Sequence, residues 1–182
     1  MRDFDQLWDY HQPEAMERQF NELAGKDYTA ADAAYLSELL TQMARAQGLQ
    51  MKFAAAHETL DRALALLTDE LSPSRIRYLL ERGRVYNSSS QPEKAVPLFQ
   101  EAWELGVHCR EDDYAVDAAH MLGIAVPTAD RRMTWNLRAI ALAERSREAS
   151  RWLGSLYNNI GWAWVEAGEN AKALEVFERA LL

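Results

Sequence analysis

The chain has 182 residues, of which 48% are hydrophobic, and this is enough to bury a substantial core. Its 28 Asp and Glu residues outnumber its 20 Lys and Arg residues, and the net charge of −8 argues against a nucleic-acid-binding protein, which needs clustered cations. Cys109 is a single cysteine, which excludes an internal disulfide, and no apolar run approaches the roughly 18 residues that cross a membrane. The acidic start at residues 1–5 differs from a secretory signal, so we expect a cytoplasmic protein without membrane contact.

Helical periodicity runs through the whole chain, and no period-2 pattern of β-branched or aromatic residues predicts a strand. Pro73 and Pro92 indicate helix starts, and Gly48, Gly106 and Gly168 are expected to end helices in the left-handed conformation. The chain is therefore predicted to be all-α. The predicted helices cover about residues 2–9, 13–24, 30–47, 51–67, 73–87, 92–105, 113–126, 130–146, 149–166 and 170–181.

The ten predicted helices pair as five antiparallel hairpins in one domain that spans residues 1–182. Short breakers between the helices favour pairing of neighbours in sequence. The predicted hairpins cover about residues 2–24, 30–67, 73–105, 113–146 and 149–181.

A spacing pattern repeats five times and supports the hairpins. Each set has a first anchor, a second anchor twelve residues later and a third anchor four residues after that, and the sets recur every 38 to 40 residues. Small first anchors let two helix axes approach to about 8 to 10 Å. A period of this size is typical of helical repeat arrays. The sets are Phe4/Met16/Phe20, Ala44/Ala56/Leu60, Gly83/Ala95/Phe99, Gly123/Trp135/Ala139 and Gly161/Ala173/Phe177.

The last repeat resembles the tetratricopeptide repeat (TPR), whose pattern runs from an aromatic residue through Leu-Gly and Tyr to Ala, Phe and Ala. The matching residues are Tyr157, Ile160, Gly161, Trp164, Ala173, Phe177 and Ala180. A second copy departs from the pattern at Arg82, which stands where Leu is usual and is expected to face solvent or an acid. The resemblance implies a right-handed α-solenoid, although the period exceeds the family's 34 residues.

The resemblance also implies that the first helix of each hairpin lines a concave peptide-binding face. Inward positions at −6, −3, +1 and +4 from each anchor include three arginines on an otherwise acidic chain. Arginine holds carboxylates through paired hydrogen bonds, and Trp162 offers a stacking surface. The candidate binding residues are Arg45, Arg77, Arg84, Asn87, His120, Asn158 and Trp162.

We therefore expect a non-catalytic scaffold that binds a protein or peptide, with an acidic segment near the arginines and an apolar side chain near Ile124 and Trp162. Replacing Arg77 and Arg84 with Ala is expected to weaken binding with little loss of stability. In the alternative interpretation, the arginines only form ion pairs with neighbouring acids and stay exposed to solvent. The neighbouring acids in question are Glu38, Glu81 and Asp117.

Catalytic and metal-binding chemistry is not predicted, and no cofactor is expected. Asp117 and His120 form the only Asp-x-x-His pair, whereas a di-metal site in a helical bundle uses two Glu-x-x-His units. Cys109 follows His108, but no second ligand pair at zinc spacing and no local base accompany it. An enzyme remains an alternative only if Asp117, His120 and another titratable group share a cleft.

Two non-catalytic alternatives stay open. One is a regulatory sensor that binds a small ligand or signalling peptide. The other is an oligomerisation scaffold, because the last predicted hairpin lacks the polar capping helix that solenoids usually carry. Leu174, Phe177 and Leu181 would then form a patch through which the chain forms a homodimer.

Overall fold

A computed structural model describes residues 2–68 and 72–181. These residues form nine α-helices and three short 3-10 turns, without a strand, and the all-α prediction is confirmed. The chain divides into two compact units, unit 1 at Met1–Leu98 and unit 2 at Phe99–Leu182. The boundary between the units lies within the helix Pro92–Cys109.

Unit 1 is built around helix α2 (Ala33–Leu49). This helix packs against α1 (Pro13–Ala24), α3 (Phe53–Leu64) and α4 (Ser72–Ser88). α2 buries side chains on nearly all sides, including the apolar Leu39 and Leu40 and the polar Ser37 and Thr41. Its core also holds Phe4 and the other large side chains that the anchor pattern selects. The elements are 3-10 Asp3–Leu7, α1 Pro13–Ala24, 3-10 Ala30–Asp32, α2 Ala33–Leu49, α3 Phe53–Leu64, α4 Ser72–Ser88 and the first part of α5 Pro92–Cys109.

Unit 2 begins with the last part of α5 and continues through two helix pairs. Helix α6 (Asp112–Ala125) packs against α7 (Ala129–Ala143), and α8 (Leu153–Glu166) packs against α9 (Asn170–Ala180). The two pairs are joined by the contact between α7 and α8. Phe99, Leu122 and Leu156 are fully buried in this unit. The remaining elements are α6 Asp112–Ala125, α7 Ala129–Ala143, 3-10 Ala149–Trp152, α8 Leu153–Glu166 and α9 Asn170–Ala180.

The predicted first helix at residues 2–9 is wrong, since the chain there forms the 3-10 turn Asp3–Leu7. The Asp3 carboxylate accepts a hydrogen bond from the Phe4 backbone N–H at 2.9 Å, and the Asp5 carboxylate accepts one from the Arg2 backbone N–H at 2.8 Å, so both aspartates cap the start of the turn. The backbone becomes extended at Trp8, which ends the turn after Leu7. The remaining stretch is too short for an α-helix, because nucleation of a helix costs more than so few residues return.

Two of the three predicted helix-ending glycines are also wrong. Gly48 lies inside α2 and Gly106 inside α5, whereas Gly168 follows α8 with the expected positive φ of 77°. A Cβ atom at Gly106 would lie 3.0 Å from the Cβ atom of Ala115, so this glycine allows α5 and α6 to approach closely. The left-handed positions after α2, α4 and α5 fall instead on Met51, Ser90 and Arg110.

The interpretation of the anchor glycines as close-approach positions is confirmed in unit 2. A Cβ atom at Gly161 would overlap the ring of Phe177 on α9. At Gly123 a Cβ atom would lie 2.8 Å from the side-chain amide of Asn136 on α7. The predicted partner of Gly123, Trp135, instead makes an edge-to-face contact with Trp103.

Candidate functional site

The seven predicted binding residues fall into two groups. Arg45, Arg77, Arg84 and Asn87 lie on α2 and α4 of unit 1, and the other three lie on α6 and α8 of unit 2. We define the α2–α4 face as Glu38, Arg45, Arg77, Glu81 and Arg84. We define the α6–α8 surface as His120, Ile124, Asn158, Trp162 and Val165.

Arg77 is a buried cation in unit 1, with only 6% of its surface exposed. Its guanidinium donates two hydrogen bonds to the Asp5 carboxylate, at 2.5 and 3.0 Å, and lies 3.5 Å from a carboxylate oxygen of Glu38. Burial by itself raises the pKa of Asp5, but the hydrogen bonds and charge of Arg77 outweigh it, and the pKa falls below its ordinary value. Asp5 is therefore held as a carboxylate.

Arg45 and Arg84 share one carboxylate on the same face. Arg45 lies 3.2 Å from Oε2 of Glu81, and Arg84 lies 2.8 Å from Oε1 of the same residue. The Arg45 guanidinium also covers the ring of Tyr10 at 5.5 Å. These ion pairs agree with the alternative interpretation of the sequence, in which the arginines pair with neighbouring acids of the chain itself. Asn87 lies half-buried near the end of α4.

Residues 2–10 contact the α2–α4 face, and the sequence analysis did not identify these contacts. Arg2 donates to both oxygens of Glu38, at 2.7 and 2.9 Å, and the indole N–H of Trp8 donates to Gln42 at 2.8 Å. The alternation of acidic and aromatic residues at Asp3-Phe4-Asp5 is a sequence signal that could have identified these contacts. We did not use this signal, because residues 2–9 were interpreted as a helix.

In unit 2, His120 joins α6 to α8. Its Nδ1 lies 3.1 Å from the Asn159 amide nitrogen, and its ring lies 5.5 Å from that of Trp152. The Trp152 indole donates to Asp113 at 2.9 Å, and Arg151 binds the same carboxylate through two hydrogen bonds. His120 is thus held in place by neighbours on α8 and on the turn before it.

Large apolar side chains of the α6–α8 surface are open to solvent. Ile124 is 50% exposed and Trp162 is 57% exposed, while Val165 and Asn158 are also exposed. The Trp162 ring makes a T-shaped contact with the ring of Phe177 on α9, at 5.7 Å between centroids. An aromatic ring that packs against one neighbour and is otherwise exposed offers apolar area to a ligand.

Arg82, the departure from the TPR pattern, points to an acid as expected. Its guanidinium forms an ion pair with Asp61 and donates to Nδ1 of His57 at 2.8 Å. Since a guanidinium only donates hydrogen bonds, His57 must be neutral to accept one at Nδ1. Burial and the Arg82 charge lower the pKa of His57 below 6.5.

Across residues 2–68 and 72–181, no three His, Cys, Asp or Glu side chains come together in a geometry that could hold a metal ion. None of the helices in these ranges has the length and apolarity that crossing a bilayer requires.

Comparison with known proteins gives structural likeness only. No protein-family model and no curated protein matches the chain. BtubC (BKLC) from P. vanneervenii is similar with a TM-score of 0.67 and 17% identity, over 97% of this chain and 73% of that one. YrrB, a TPR protein with an unusual peptide-binding site, is similar with a TM-score of 0.52 and 18% identity, over 98% and 81%.

A third similar structure is a Podosopora anserina protein described as a kinesin light chain with nearly identical TPR-like repeats. Its TM-score is 0.58 at 16% identity, over 93% of this chain and 86% of that one. At these identities the likeness establishes the fold, and the predicted TPR-like α-solenoid class is confirmed.

Proposed function

We propose that this chain, which has a TPR-like fold, is a non-catalytic cytoplasmic scaffold that binds an extended peptide of a partner protein on its α6–α8 surface. The observation that carries the proposal is the exposure of Ile124 and Trp162 on two helices that meet at the contact between His120 and Asn159. The peptide-binding site for which YrrB is described supports a peptide partner on this fold.

The chemistry of the α6–α8 surface suits a peptide with one large apolar side chain. A few residues, with tryptophan prominent among them, supply most of the binding energy at protein interfaces, and a side-chain amide can pair with a peptide backbone group. Trp162 offers the stacking area, and Asn158 lies four positions before it on α8, hence on the same side of the helix. A flexible loop is not required to form this surface.

A displayed peptide library tests the proposal. Peptides selected on the full chain are titrated by calorimetry into the wild type, an Asn158→Ala/Trp162→Ala variant and a Leu137→Ala control. Leu137 is equally exposed in unit 2 but lies on α7. We expect the double variant to bind at least about tenfold more weakly and the control to bind like the wild type. Equal binding by all three chains would contradict the proposal.

A second candidate function is self-association through α9. Leu174 is 61% exposed and Leu181 is 87% exposed at the end of unit 2. Exposed large apolar side chains close together favour association. Sedimentation over a concentration series tests this, with Leu181→Asp expected to abolish a dimer that Leu137→Asp leaves intact. A wild type that remains monomeric at high concentration would rule it out.

A further inference from the structure

Residues 2–10 lie on the α2–α4 face in the manner of a bound peptide. The segment forms only a short 3-10 turn, and its contacts with α2 and α4 are made by side chains. They extend from Arg2 on Glu38 to Tyr10 beneath Arg45. These two partners are seven residues apart on α2, so the segment follows about two turns of that helix.

The charges of the segment and the face are complementary. Asp5 supplies a carboxylate to the buried Arg77 through two hydrogen bonds. Arg2 supplies a guanidinium to Glu38, whose other partners are the Ser74 hydroxyl at 2.9 Å and the Arg77 guanidinium at 3.5 Å. Paired hydrogen bonds between guanidinium and carboxylate fix position as well as charge. The face therefore matches a segment that carries a positive charge at Arg2 and a negative charge at Asp5.

Aromatic residues anchor the segment between these charged contacts. Phe4 is 1% exposed, contacts the Tyr35 ring edge-to-face at 5.1 Å and lies under the Arg77 guanidinium at 5.5 Å. The Trp8 indole fixes the position four residues later through its hydrogen bond to Gln42. Buried aromatic anchors flanked by charged pairs are the usual source of affinity in peptide recognition.

We propose that the α2–α4 face is a recognition site for a peptide that combines carboxylates with aromatic residues, and that residues 2–10 are its resident ligand. The partner that fits the site is a segment of another protein with an aromatic residue beside an acid and a second aromatic residue four positions later. Such a segment binds only when residues 2–10 leave. The inference rests on the proposed function, since it adds a second peptide site to the scaffold.

The test uses the full chain with a protease site inserted between Tyr10 and His11, in the exposed stretch before α1. After cleavage of the folded protein, a fluorescent synthetic peptide of residues 1–10 is added and its anisotropy is measured. We expect the labelled peptide to exchange into the cut chain but not into the uncut chain. Circular dichroism follows whether the helices stay intact.

Two peptide variants sharpen the test. Asp5→Asn removes the charge that Arg77 binds. Asp3→Asn is the matched control, because among the described residues the Asp3 carboxylate accepts a side-chain hydrogen bond from Tyr35 alone, at a long 3.4 Å. We expect the Asp5→Asn peptide to compete at least about tenfold more weakly than the wild-type peptide and the Asp3→Asn peptide to compete nearly as well.

Three results would overturn the inference: no exchange into the cut chain, equal competition by both variants, or loss of helical structure on cleavage. The last result would mean that the segment is only a part of the core. None of these measurements uses the α6–α8 surface or an external partner. Failure here therefore leaves the library test of the proposed function intact, and the reverse also holds.

Discussion

The two units carry inward positions selected by the same rule, yet the side chains there are in opposite states. On the α2–α4 face of unit 1, the arginines are paired with Asp5, Glu38 and Glu81, and residues 2–10 lie over them. On the α6–α8 surface of unit 2, Ile124 and Trp162 are open to solvent. A position in a repeat thus indicates where a side chain points but not whether the chain itself already occupies the surface.

The contrast also separates stability from binding. Side chains of the filled face are buried with charged partners, so their removal should affect folding first. On the α6–α8 surface, Ile124 and Trp162 are largely exposed. Their truncation should therefore affect ligand binding and leave folding nearly unchanged.

The largest expected difference is between Phe4→Ala and Trp162→Ala. Phe4 is fully buried in the core of unit 1, and its truncation should lower the free energy of unfolding by about 3 to 5 kcal/mol. Trp162 is exposed, and its truncation should change that energy by less than about 1 kcal/mol. Urea unfolding followed by circular dichroism measures both. Losses of similar size would remove the distinction between the two faces.

Arg77→Ala should cost about 3 kcal/mol of stability, because it leaves the Asp5 carboxylate without its cation, whereas Glu38 keeps Arg2. The sequence alone predicts little loss at this position, and burial of the guanidinium changes that expectation. Arg84→Ala is the matched control, since Glu81 keeps Arg45, and it should cost about 1 kcal/mol or less. A double-mutant cycle of Arg77 with Asp5 isolates the pair, and additive losses would show that the pair is not coupled.

Gly161→Ala tests the packing beneath the open surface. The added methyl group would overlap Phe177, so α8 and α9 must separate, and a loss of about 1 to 3 kcal/mol is expected. At Gly154, on the same helix, the nearest atom would lie at an ordinary 3.6 Å. Gly154→Ala should therefore be neutral or slightly stabilising. Thermal unfolding compares the two, and an equally tolerated Gly161→Ala would refute close approach there.

The smallest effect concerns pH and His57 in unit 1. The folded state lowers the pKa of His57 below 6.5, so the unfolded chain takes up the proton first as pH falls. The stability that the folded state gains from keeping His57 neutral is fully present above about pH 6.5, and it is lost as the pH falls below that value. His57→Gln keeps an acceptor for Arg82 and should flatten the dependence of stability on pH between about 5 and 7. An unchanged slope in that variant would show that another group is responsible.

Much of the fold follows from the sequence, because helical periodicity and close-approach glycines are local or regularly spaced signals. The helices around Gly161 and the start of α5 at Pro92 agree with expectation. Residues 2–9 do not, because the backbone becomes extended at Trp8 and leaves too few residues for an α-helix. Gly106 does not end a helix, because its small size serves the packing against Ala115.

The candidate site was less accessible to sequence reasoning. The inward stripe placed Arg45, Arg77 and Arg84 on one face, and their contacts with Glu81 and Glu38 join α2 to α4 as the stripe implied. The pairing of Arg77 with Asp5, however, spans 72 positions in sequence. No local pattern encodes such a contact, because it depends on how three elements of unit 1 pack together.

Hydroxyl-radical footprinting of the intact chain, read residue by residue by mass spectrometry, tests the contrast between the two faces most directly. Each labelling rate is compared with the rate of the same residue in the urea-unfolded chain, which removes differences in intrinsic reactivity. We expect strong protection of Phe4 and little protection of Ile124 and Trp162. Labelling of Phe4 at its unfolded rate, or protection of Trp162 equal to that of Phe4, would contradict this contrast.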